Sequence, residues 1–419
     1  MLTLRPYQEE IIKKGINILV PFKFLYLAME VRTGKTITSL RMFTELWKKL
    51  REDPSRKKVL FITKKKAISS IEHDYDNSGC IYNIMITNYE SLHKVPVKGW
   101  DGVVCDEAHC MGAFPKPSNR AKLVKEIILK SKPYTILLSG TPTPESYSQM
   151  YHQVYGIKKN PFVVHKNFYS FSKRYVNVKQ KKLGGMVIND YSLGSELILH
   201  HMKPFLISYT QKLAGFESII DEEILTIPLD PKTLILIKRL KKYLVIEGNK
   251  EVILADTAVK LMTKIHQLSS GTIKFESGNS MVVDHTKAFF ILDKFKNRKI
   301  AIFYKFVQEL QALKDVYKDK ITTTLEEFDT TDKCIALQIV SGREGISLKN
   351  AECLVYYNID FSATSYWQSR DRMTTQKRKF NKIYWVFSDE GIERKIYKAV
   401  VRKKDYTLSH FKKDLLTLN

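Results

Sequence analysis

Cysteine is scarce in this 419-residue chain, and its five cysteines form no recognisable metal or disulfide pattern. The sequence has no Cys-x-x-Cys pair and no paired histidine spacing, which excludes the common zinc signatures. We therefore expect buried or incidental thiols in a reducing compartment.

Long apolar runs are also missing. The longest, residues 16–29, contains Pro21 and Lys23 and is unsuited to span a membrane. The opening MLTLRPYQEE does not resemble a signal peptide, and no amphipathic anchor or lipidation motif supports a membrane partner. These absences predict a cytoplasmic protein.

Acidic residues are outnumbered, since 44 Asp and Glu face 69 Lys and Arg, for a formal net charge of +25 at pH 7. This excess goes far beyond what solubility requires and favours a polyanionic partner, with nucleic acid as the first candidate. The chain is too long for one ordinary core and suits two domains of roughly 150 to 200 residues.

The stretch 28–36, AMEVRTGKT, follows an apolar run and precedes an amphipathic helical pattern. Strand, Gly-Lys-Thr and helix form the context of a phosphate-binding loop, in which Lys35 reaches the phosphates and Thr36 binds Mg²⁺. Gly34 lets the backbone approach the phosphates closely. The motif is incomplete because Met29 replaces its first glycine, so an ordinary turn with an exposed lysine remains the alternative.

Two adjacent carboxylates, Asp106 and Glu107, follow the apolar strand predicted at 101–105. With Mg²⁺ present, Asp106 would hold the ion through water and Glu107 would orient and deprotonate the attacking water. His109 would link this strand end to other motifs. An acidic helix start is the alternative, but the Gly-Lys-Thr upstream favours nucleotide hydrolysis.

Polar residues follow two further predicted strands of the first half. Lys64 begins a lysine run after the strand at 59–63, where it could contact phosphates or simply be solvated. Ser139 and Thr141 follow the strand at 134–138, and their hydroxyls can bond the carboxylate motif; a proline-rich turn that closes the domain is the alternative.

A helix is predicted ahead of the phosphate loop, and its Gln8 amide can both donate to and accept from an adenine edge. Across this half, short apolar strands alternate with helices and the polar motifs cluster at strand ends. That pattern predicts a doubly wound α/β domain over residues 1–150.

The middle of the chain is basic and aromatic, with eight basic and no acidic residues over 158–182. Cations for phosphates and rings for bases predict a nucleic-acid surface, and a solvated helix with core-facing aromatics is the alternative. We expect residues 151–284 to form a largely helical basic insertion, with helices at 193–210, 231–244 and 251–268. The interleaved aromatics are Phe162, Phe168, Tyr169, Phe171 and Tyr175. The proposed phosphate contacts are Lys173, Arg174, Lys181 and Lys182.

Strands and helices alternate again over residues 285–419, without a second phosphate loop. This half contains the turn SGREGI at 341–346 and a helical segment with Gln368. It predicts a second α/β lobe.

In this order, RPYQ, GKT, DEAH, SGTPTP and SGREGI resemble the motifs of superfamily 2 helicases. The phrases LRPYQ, TNYESL and LSGTPTP are similar to the Swi/Snf branch, especially its compact phage-encoded relatives. The resemblance covers residues 1–150 and about 285–400. It implies two RecA-like parallel-sheet lobes that bind ATP between them and act on duplex or single-stranded DNA, in the host cytoplasm if the gene is a phage's.

The resemblance also implies roles for individual residues. The ATP and Mg²⁺ contacts of the first lobe would be Arg5, Tyr7, Gln8, Arg32, Thr33, Gly34, Lys35, Thr36, Asp106 and Glu107. The second lobe would add Gly345, Gln368, Arg370 and Arg372. Lys64, Ser139, Thr141 and Ser341 would face nucleic acid. Arg32 departs from the family pattern, because many relatives have glycine there.

The arginine pattern of the second lobe is irregular. A second arginine is expected three residues after the first, but Thr375 stands there if Arg372 is first, and Met373 if Arg370 is first. Arg370, Arg372 and Arg378 are therefore all candidates for the arginine finger, with Arg372 favoured.

These features predict a DNA-dependent ATPase that translocates on DNA or unwinds it. An ATP-gated nucleic-acid clamp with little turnover is one alternative, and an RNA helicase is another.

Overall fold

The computed structural model describes residues 2–144, 146–183, 186–216, 219–248, 251–342, 346–375, 378, 380–389 and 391–404. Within them the chain forms two compact units, the first ending at Gly215 and the second running from Phe216 to Lys404. We describe each unit by itself.

The first unit is a six-stranded parallel sheet with helices. Its helices are α1 Pro6–Phe22, α2 Lys35–Lys49, α3 Ile68–Asp76, α4 Asn119–Ser131, α5 Met150–Gln153, α6 Phe168–Tyr175 and α7 Leu197–Met202. Its strands are β1 Phe24–Met29, β2 Lys58–Thr63, β3 Asn83–Asn88, β4 Gly102–Cys105, β5 Tyr134–Leu138, β6 Lys179–Leu183, β7 Met186–Asp190 and β8 Leu206–Tyr209. The sheet order is β3-β2-β4-β5-β1-β8, and every neighbouring pair is parallel.

Both faces of this sheet are buried, which explains why its central strands are continuous apolar runs in the sequence. Successive side chains of β1 alternate between two cores: Phe24 and Tyr26 pack on one face, and Leu25 and Leu27 on the other. Because all strands run the same way, their carboxyl ends meet at one edge. The phosphate loop, the carboxylate motif and Ser139 all follow strands of this sheet and share that edge.

The segment after residue 150 is less helical than predicted. The expected helix at 193–210 contains only α7, and the chain then enters β8, which pairs with β1 through Met29 and Tyr209. Residues 179–190 form the antiparallel hairpin β6–β7. Tertiary pairing therefore overrode the local helical pattern at these positions.

The second unit repeats the parallel arrangement. Its strands are β9 Ile219–Ile227, β10 Val245–Glu247, β11 Val252–Leu254, β12 Thr272–Lys274, β13 Ser280–Val282, β14 Ala301–Tyr304, β15 Ile321–Thr322, β16 Cys334–Gln338, β17 Leu354–Tyr356 and β18 Phe380–Ser388. Its helices are α8 Pro231–Tyr243, α9 Ala258–Ser269, α10 Thr286–Lys294, α11 Val307–Tyr317, α12 Leu325–Thr330, α13 Ile339–Gly342, α14 Ala363–Arg370 and α15 Glu393–Lys404. The main sheet order is β15-β16-β14-β17-β18-β9, again parallel throughout.

The predicted α/β class with two parallel sheets is confirmed. The predicted division at residues 150 and 284 differs from the observed units, because β8 joins the first sheet and β9 joins the second. Residues 231–284 form α8, α9 and two small hairpins around a separate apolar cluster, and so combine helix with strand. Among the described helices, none has the length and apolar character needed to cross a bilayer.

Candidate active site

The loop between β1 and α2 is shaped by two left-handed backbone positions. Gly34 has φ of 79°, a conformation that favours glycine, and a Cβ there would lie 2.1 Å from Gln8 Nε2, so the Gln8 side chain would have to shift. Arg32 adopts φ of 64°, a region that costs a side-chain-bearing residue about 1 kcal/mol. An arginine, and not a glycine, therefore occupies this left-handed position of the loop.

Three carbonyl groups of this loop accept hydrogen bonds from side chains of the first helix and of the loop itself. Tyr7 Oη donates to the Thr33 carbonyl at 3.0 Å, and Gln8 Nε2 donates to the Gly34 carbonyl at 3.3 Å. Thr33 Oγ1 donates to the Glu30 carbonyl at 2.7 Å. This arrangement leaves the loop and the start of α2 suited to receive an anion.

Gln8 and Arg5 contribute to the structure of the helix start. The Gln8 side chain is buried, and its Oε1 accepts from the Arg5 backbone N–H at 2.8 Å. Arg5 Nη1 donates to Tyr7 Oη at 3.0 Å. Both ends of the Gln8 amide are thus engaged within the protein, and an adenine contact by this residue remains a prediction.

Lys35 bridges the phosphate loop and the carboxylate motif. Its Nζ lies 2.8 Å from Glu107 Oε1 and 3.6 Å from Asp106 Oδ1. All three side chains are largely buried, so their charges interact strongly. The structure brings together the lysine and the two acids that the sequence assigned to one reaction.

Asp106 is fixed at the end of β4 by neighbouring strands. Thr63 Oγ1 donates to Asp106 Oδ2 at 2.9 Å, and Tyr89 Oη donates to the Asp106 carbonyl at 2.7 Å. Asp106 Oδ1 is buried and has no hydrogen-bond partner among the described residues. A buried carboxylate oxygen without a donor suits a divalent cation, and Thr36, which follows Lys35 in the chain, has a hydroxyl of the right chemistry. Asp106 and Thr36 therefore fit the predicted Mg²⁺ role.

Glu107 has a left-handed backbone, with φ of 51°, at the turn after β4. Its Oε2 lies 3.3 Å from His109 Nδ1, and that nitrogen lies 3.0 Å from Ser139 Oγ. Ser139 Oγ in turn accepts from the Thr141 backbone N–H at 3.1 Å. His109 therefore links the carboxylate motif to the SGT motif.

Burial and nearby charges shift the pKa values of the two acids in opposite directions. Burial works against ionisation of Glu107, but Lys35 and then His109 outweigh it and hold the pKa of Glu107 at about 2. Burial raises the pKa of Asp106, since Lys35 offsets it only in part and Glu107 adds to it. Glu107 is thus ionised at neutral pH.

The residues of the first unit that were predicted to face nucleic acid lie in different environments. Ser139 is fully buried, so its hydroxyl acts on His109 and Thr141 and cannot directly contact a nucleic acid from this position. The positive charge of Lys64 is among the causes that lower the pKa of Glu107. Thr141 Oγ1 is buried and has no hydrogen-bond partner within the described chain.

In the basic middle segment, described basic side chains are exposed to solvent, whereas most of the aromatic side chains are buried. Lys173 and Arg174 lie exposed on α6, whereas four of the five aromatics belong to the core and only Tyr169 is exposed. The prediction of stacking aromatics is therefore wrong for Phe162, Phe168, Phe171 and Tyr175. Lys181 and Lys182 lie on β6, and their side chains are outside the described structure.

The three candidate arginines are held within the second unit. Arg370 Nη1 pairs with Glu222 Oε1 at 2.9 Å and packs over the Trp367 ring. Arg372 is buried, with its Nε donating to the Gln368 carbonyl at 2.8 Å. Arg378 donates from Nη1 to the Ala351 carbonyl at 2.6 Å. Each contact holds a guanidinium in place, and none of them selects the finger.

Other predicted residues of the second unit are less fully described. Gln368 is buried, and its Oε1 has no hydrogen bond within the described residues. The Ser341 side chain and Gly345 lie outside the described part of the chain.

Sequence reasoning missed Thr63, Tyr89 and Glu222. Thr63 ends a predicted strand one sheet neighbour away from Asp106, so strand order would have been needed to find it. Glu222 accepts hydrogen bonds from Tyr366 and Trp385 as well as pairing with Arg370. It had no signal in the sequence because β9 lies far from α14 along the chain.

Residues 35–214 match the profile of the SNF2-related domain. A comparison with curated proteins gives no match. The chain is similar to the SWI2/SNF2 ATPase core of Sulfolobus solfataricus in complex with dsDNA, at 16% identity and a TM-score of 0.42, over 97% of this chain and 92% of that one. It is also similar to the same organism's SWI2/SNF2 ATPase core domain, at 17% identity and a TM-score of 0.39, over 98% and 90% of the two chains. At these TM-scores the likeness carries no argument, so the Swi/Snf resemblance is supported by the profile match to residues 35–214.

Proposed function

We propose that this protein is an ATP hydrolase that couples turnover to movement on DNA, as a translocase or a helicase. The observation that carries the proposal is the buried cluster of Lys35, Asp106 and Glu107 beside a phosphate-type loop. The SNF2-related profile over residues 35–214 adds to it. The finer likeness to phage-encoded relatives remains part of the proposal.

The residues divide the work of hydrolysis between them. Lys35 would exchange its carboxylate partners for the β- and γ-phosphates, and the loop N–H groups would bind the same oxygens. Mg²⁺, held by Asp106 and Thr36, would supply charge neutralisation on the phosphates. Glu107, ionised at neutral pH, would orient water and accept its proton.

His109 gives this site a route to the rest of the first unit. A change in the charge around Glu107 alters its 3.3 Å contact with His109, which is bonded to Ser139. We propose that this chain of contacts reports the state of the phosphates to the Ser139–Thr141 segment.

The proposal of DNA as the partner rests on charge and surface. The net charge of +25 favours a polyanion, and Lys173 and Arg174 are exposed on α6. Whether the preferred form is duplex or single-stranded DNA, or RNA, is decided by measurement.

The test is steady-state ATP hydrolysis without nucleic acid and with single-stranded DNA, duplex DNA or RNA. We expect stimulation by DNA that disappears in Glu107→Gln, because the amide cannot take up the water proton. Lys35→Ala should abolish hydrolysis while leaving DNA affinity without nucleotide unchanged. Turnover that persists in both variants would refute the proposed site, and equal stimulation by RNA would favour an RNA helicase.

The second candidate is an ATP-gated clamp, favoured by the irregular arginine pattern with Met373 and Thr375. All three candidate arginines already have partners inside the second unit. A clamp would bind ATP and DNA tightly yet hydrolyse below about one ATP per minute, far under typical enzyme turnover. The same assay, combined with nucleotide-dependent DNA binding, separates the two functions.

A further inference from the structure

A turn at the end of β8 holds the outer side of the phosphate loop. We call residues 209–215 the strap. It follows the strand that pairs with β1, and the Glu30 backbone N–H donates to the Tyr209 carbonyl at 2.9 Å, extending the sheet pairing into the loop. The strap therefore reaches the loop at its first residue.

Gln211 makes two contacts with the phosphate loop. Its backbone N–H donates to Glu30 Oε2 at 2.8 Å, and its side-chain Nε2 donates to the Val31 carbonyl at 3.0 Å. These bonds fix the first two residues of the loop, immediately before the left-handed Arg32.

The strap itself is internally braced. The Leu213 backbone N–H donates to Thr210 Oγ1 at 3.2 Å, and Tyr209 Oη donates to the Leu213 carbonyl at 3.1 Å. The Tyr209 ring stacks on Tyr7 with centroids 4.6 Å apart. Tyr7 in turn donates to the Thr33 carbonyl. The strap therefore contacts the beginning of the loop and the first helix contacts its end.

These hydrogen bonds matter for anion binding because a loop can direct its N–H groups inward only if its carbonyls turn outward. Each outward carbonyl needs a hydrogen-bond donor to keep it there. A carbonyl that turned inward would place partial negative charge next to the anion. Gln211 supplies that donor at Val31, as Tyr7 does at Thr33 and Gln8 at Gly34.

We propose that Gln211 is a positioning residue for the phosphate loop, holding the Val31 carbonyl away from the bound phosphates. This inference rests on the proposed ATP hydrolysis. It assigns a nucleotide-site role to a segment that lies far from the phosphate loop in sequence.

The role predicts a specific kinetic signature. Gln211→Ala removes one neutral hydrogen bond to the loop, so we expect the KM for ATP to rise about threefold to tenfold with kcat little changed. Gln211→Glu should raise KM further, because a carboxylate oxygen would face the Val31 carbonyl. Gln180→Ala, on the exposed β6 strand, is the matched control and should leave KM unchanged.

The experiment measures ATP KM, kcat and thermal stability for these variants and for Lys35→Ala in the full chain. A KM that rises in the order wild type, Gln211→Ala, Gln211→Glu supports the proposal. Loss of stability with unchanged KM would show a merely structural role and overturn it. If Lys35→Ala still hydrolyses ATP, the proposed function fails; if only the Gln211 variants match wild type, the strap inference alone fails.

Discussion

Lys287 and Glu393 form a buried ion pair in the second unit, and breaking it should strongly destabilise that unit. Lys287 Nζ lies 2.8 Å from Glu393 Oε1, and the two side chains are 2% and 0% exposed. The ammonium also donates to the carbonyls of Tyr357 and Val386, at 3.3 and 3.1 Å. The pair thus ties the start of α10 to the start of α15, and the lysine also bonds the chain at β18 and just after β17.

The size of the effect follows from burial. Lys287→Met would leave the Glu393 carboxylate without its cation in a site that water does not reach, although Ser388 would still donate to it from its backbone and its hydroxyl. Removing one partner of a buried pair costs about 3–5 kcal/mol, whereas exposed pairs contribute about 0.2–1 kcal/mol. Replacing both partners by apolar residues, Lys287→Met with Glu393→Leu, should recover most of the loss.

The assay is urea unfolding read by hydrogen-exchange mass spectrometry, which follows peptides of each unit separately. Peptides of β17 and β18 should lose protection at lower urea in Lys287→Met, and peptides of β1 should not. The matched control is Lys260→Met, which breaks the exposed pair with Asp256. A loss in the second unit no larger than that of this control would refute the reasoning, as would a double variant weaker than Lys287→Met.

Two further predictions concern pH and salt. Burial, and then the charge of Lys305, lowers the pKa of His266 to about 3, so the unfolded chain takes up a proton below about pH 6.5 that the folded chain does not. Stability should therefore fall by up to about 1.4 kcal/mol per pH unit as pH drops from 6.5 towards 3, and His266→Phe should remove that slope; an unchanged slope would place the acid sensitivity elsewhere. Neutralising Lys173, Arg174, Lys181 and Lys182 together should flatten the salt dependence of DNA binding by up to about 0.9 per lost phosphate contact, and the same slope as wild type would show that this surface stays solvated.

Local pattern was enough to predict the phosphate loop and the carboxylate motif. Both follow short apolar strands, and parallel strands bring their carboxyl ends to one edge whatever their order. The contact between Lys35 and Glu107 also depends on strand order, because β1 and β4 both pair with β5, and local pattern does not determine that order. Thr63 and Gln211 could not be placed in this way, because their contacts depend on which strands are neighbours.

The aromatics of α6 show where composition misled. Phe168, Phe171 and Tyr175 are spaced by three and four residues, which is the spacing of one helix face, and that face packs into the core. Lys173 and Arg174 lie on the exposed side of the same helix. The aromatic and basic residues that alternate in the sequence therefore lie on two different faces of the helix. Helical periodicity was the signal that distinguishes core-facing aromatics from a stacking surface.

Motif spacing was also not enough to identify the arginine finger in the second unit. Motif spacing favoured Arg372 but kept Arg370 and Arg378 as candidates, and the partners of the three in the structure differ. Arg370 neutralises Glu222, while Arg372 and Arg378 bond backbone carbonyls. Leaving Glu222 would deprive a largely buried carboxylate of its cation, and leaving the carbonyls would cost Arg372 and Arg378 hydrogen bonds donated by a charged group. An arginine that reaches for a phosphate must first give up its resident partner. By this criterion each of the three candidates must give up contacts within the second unit, so the choice among them stays a prediction and the preference for Arg372 rests on its spacing to Gln368.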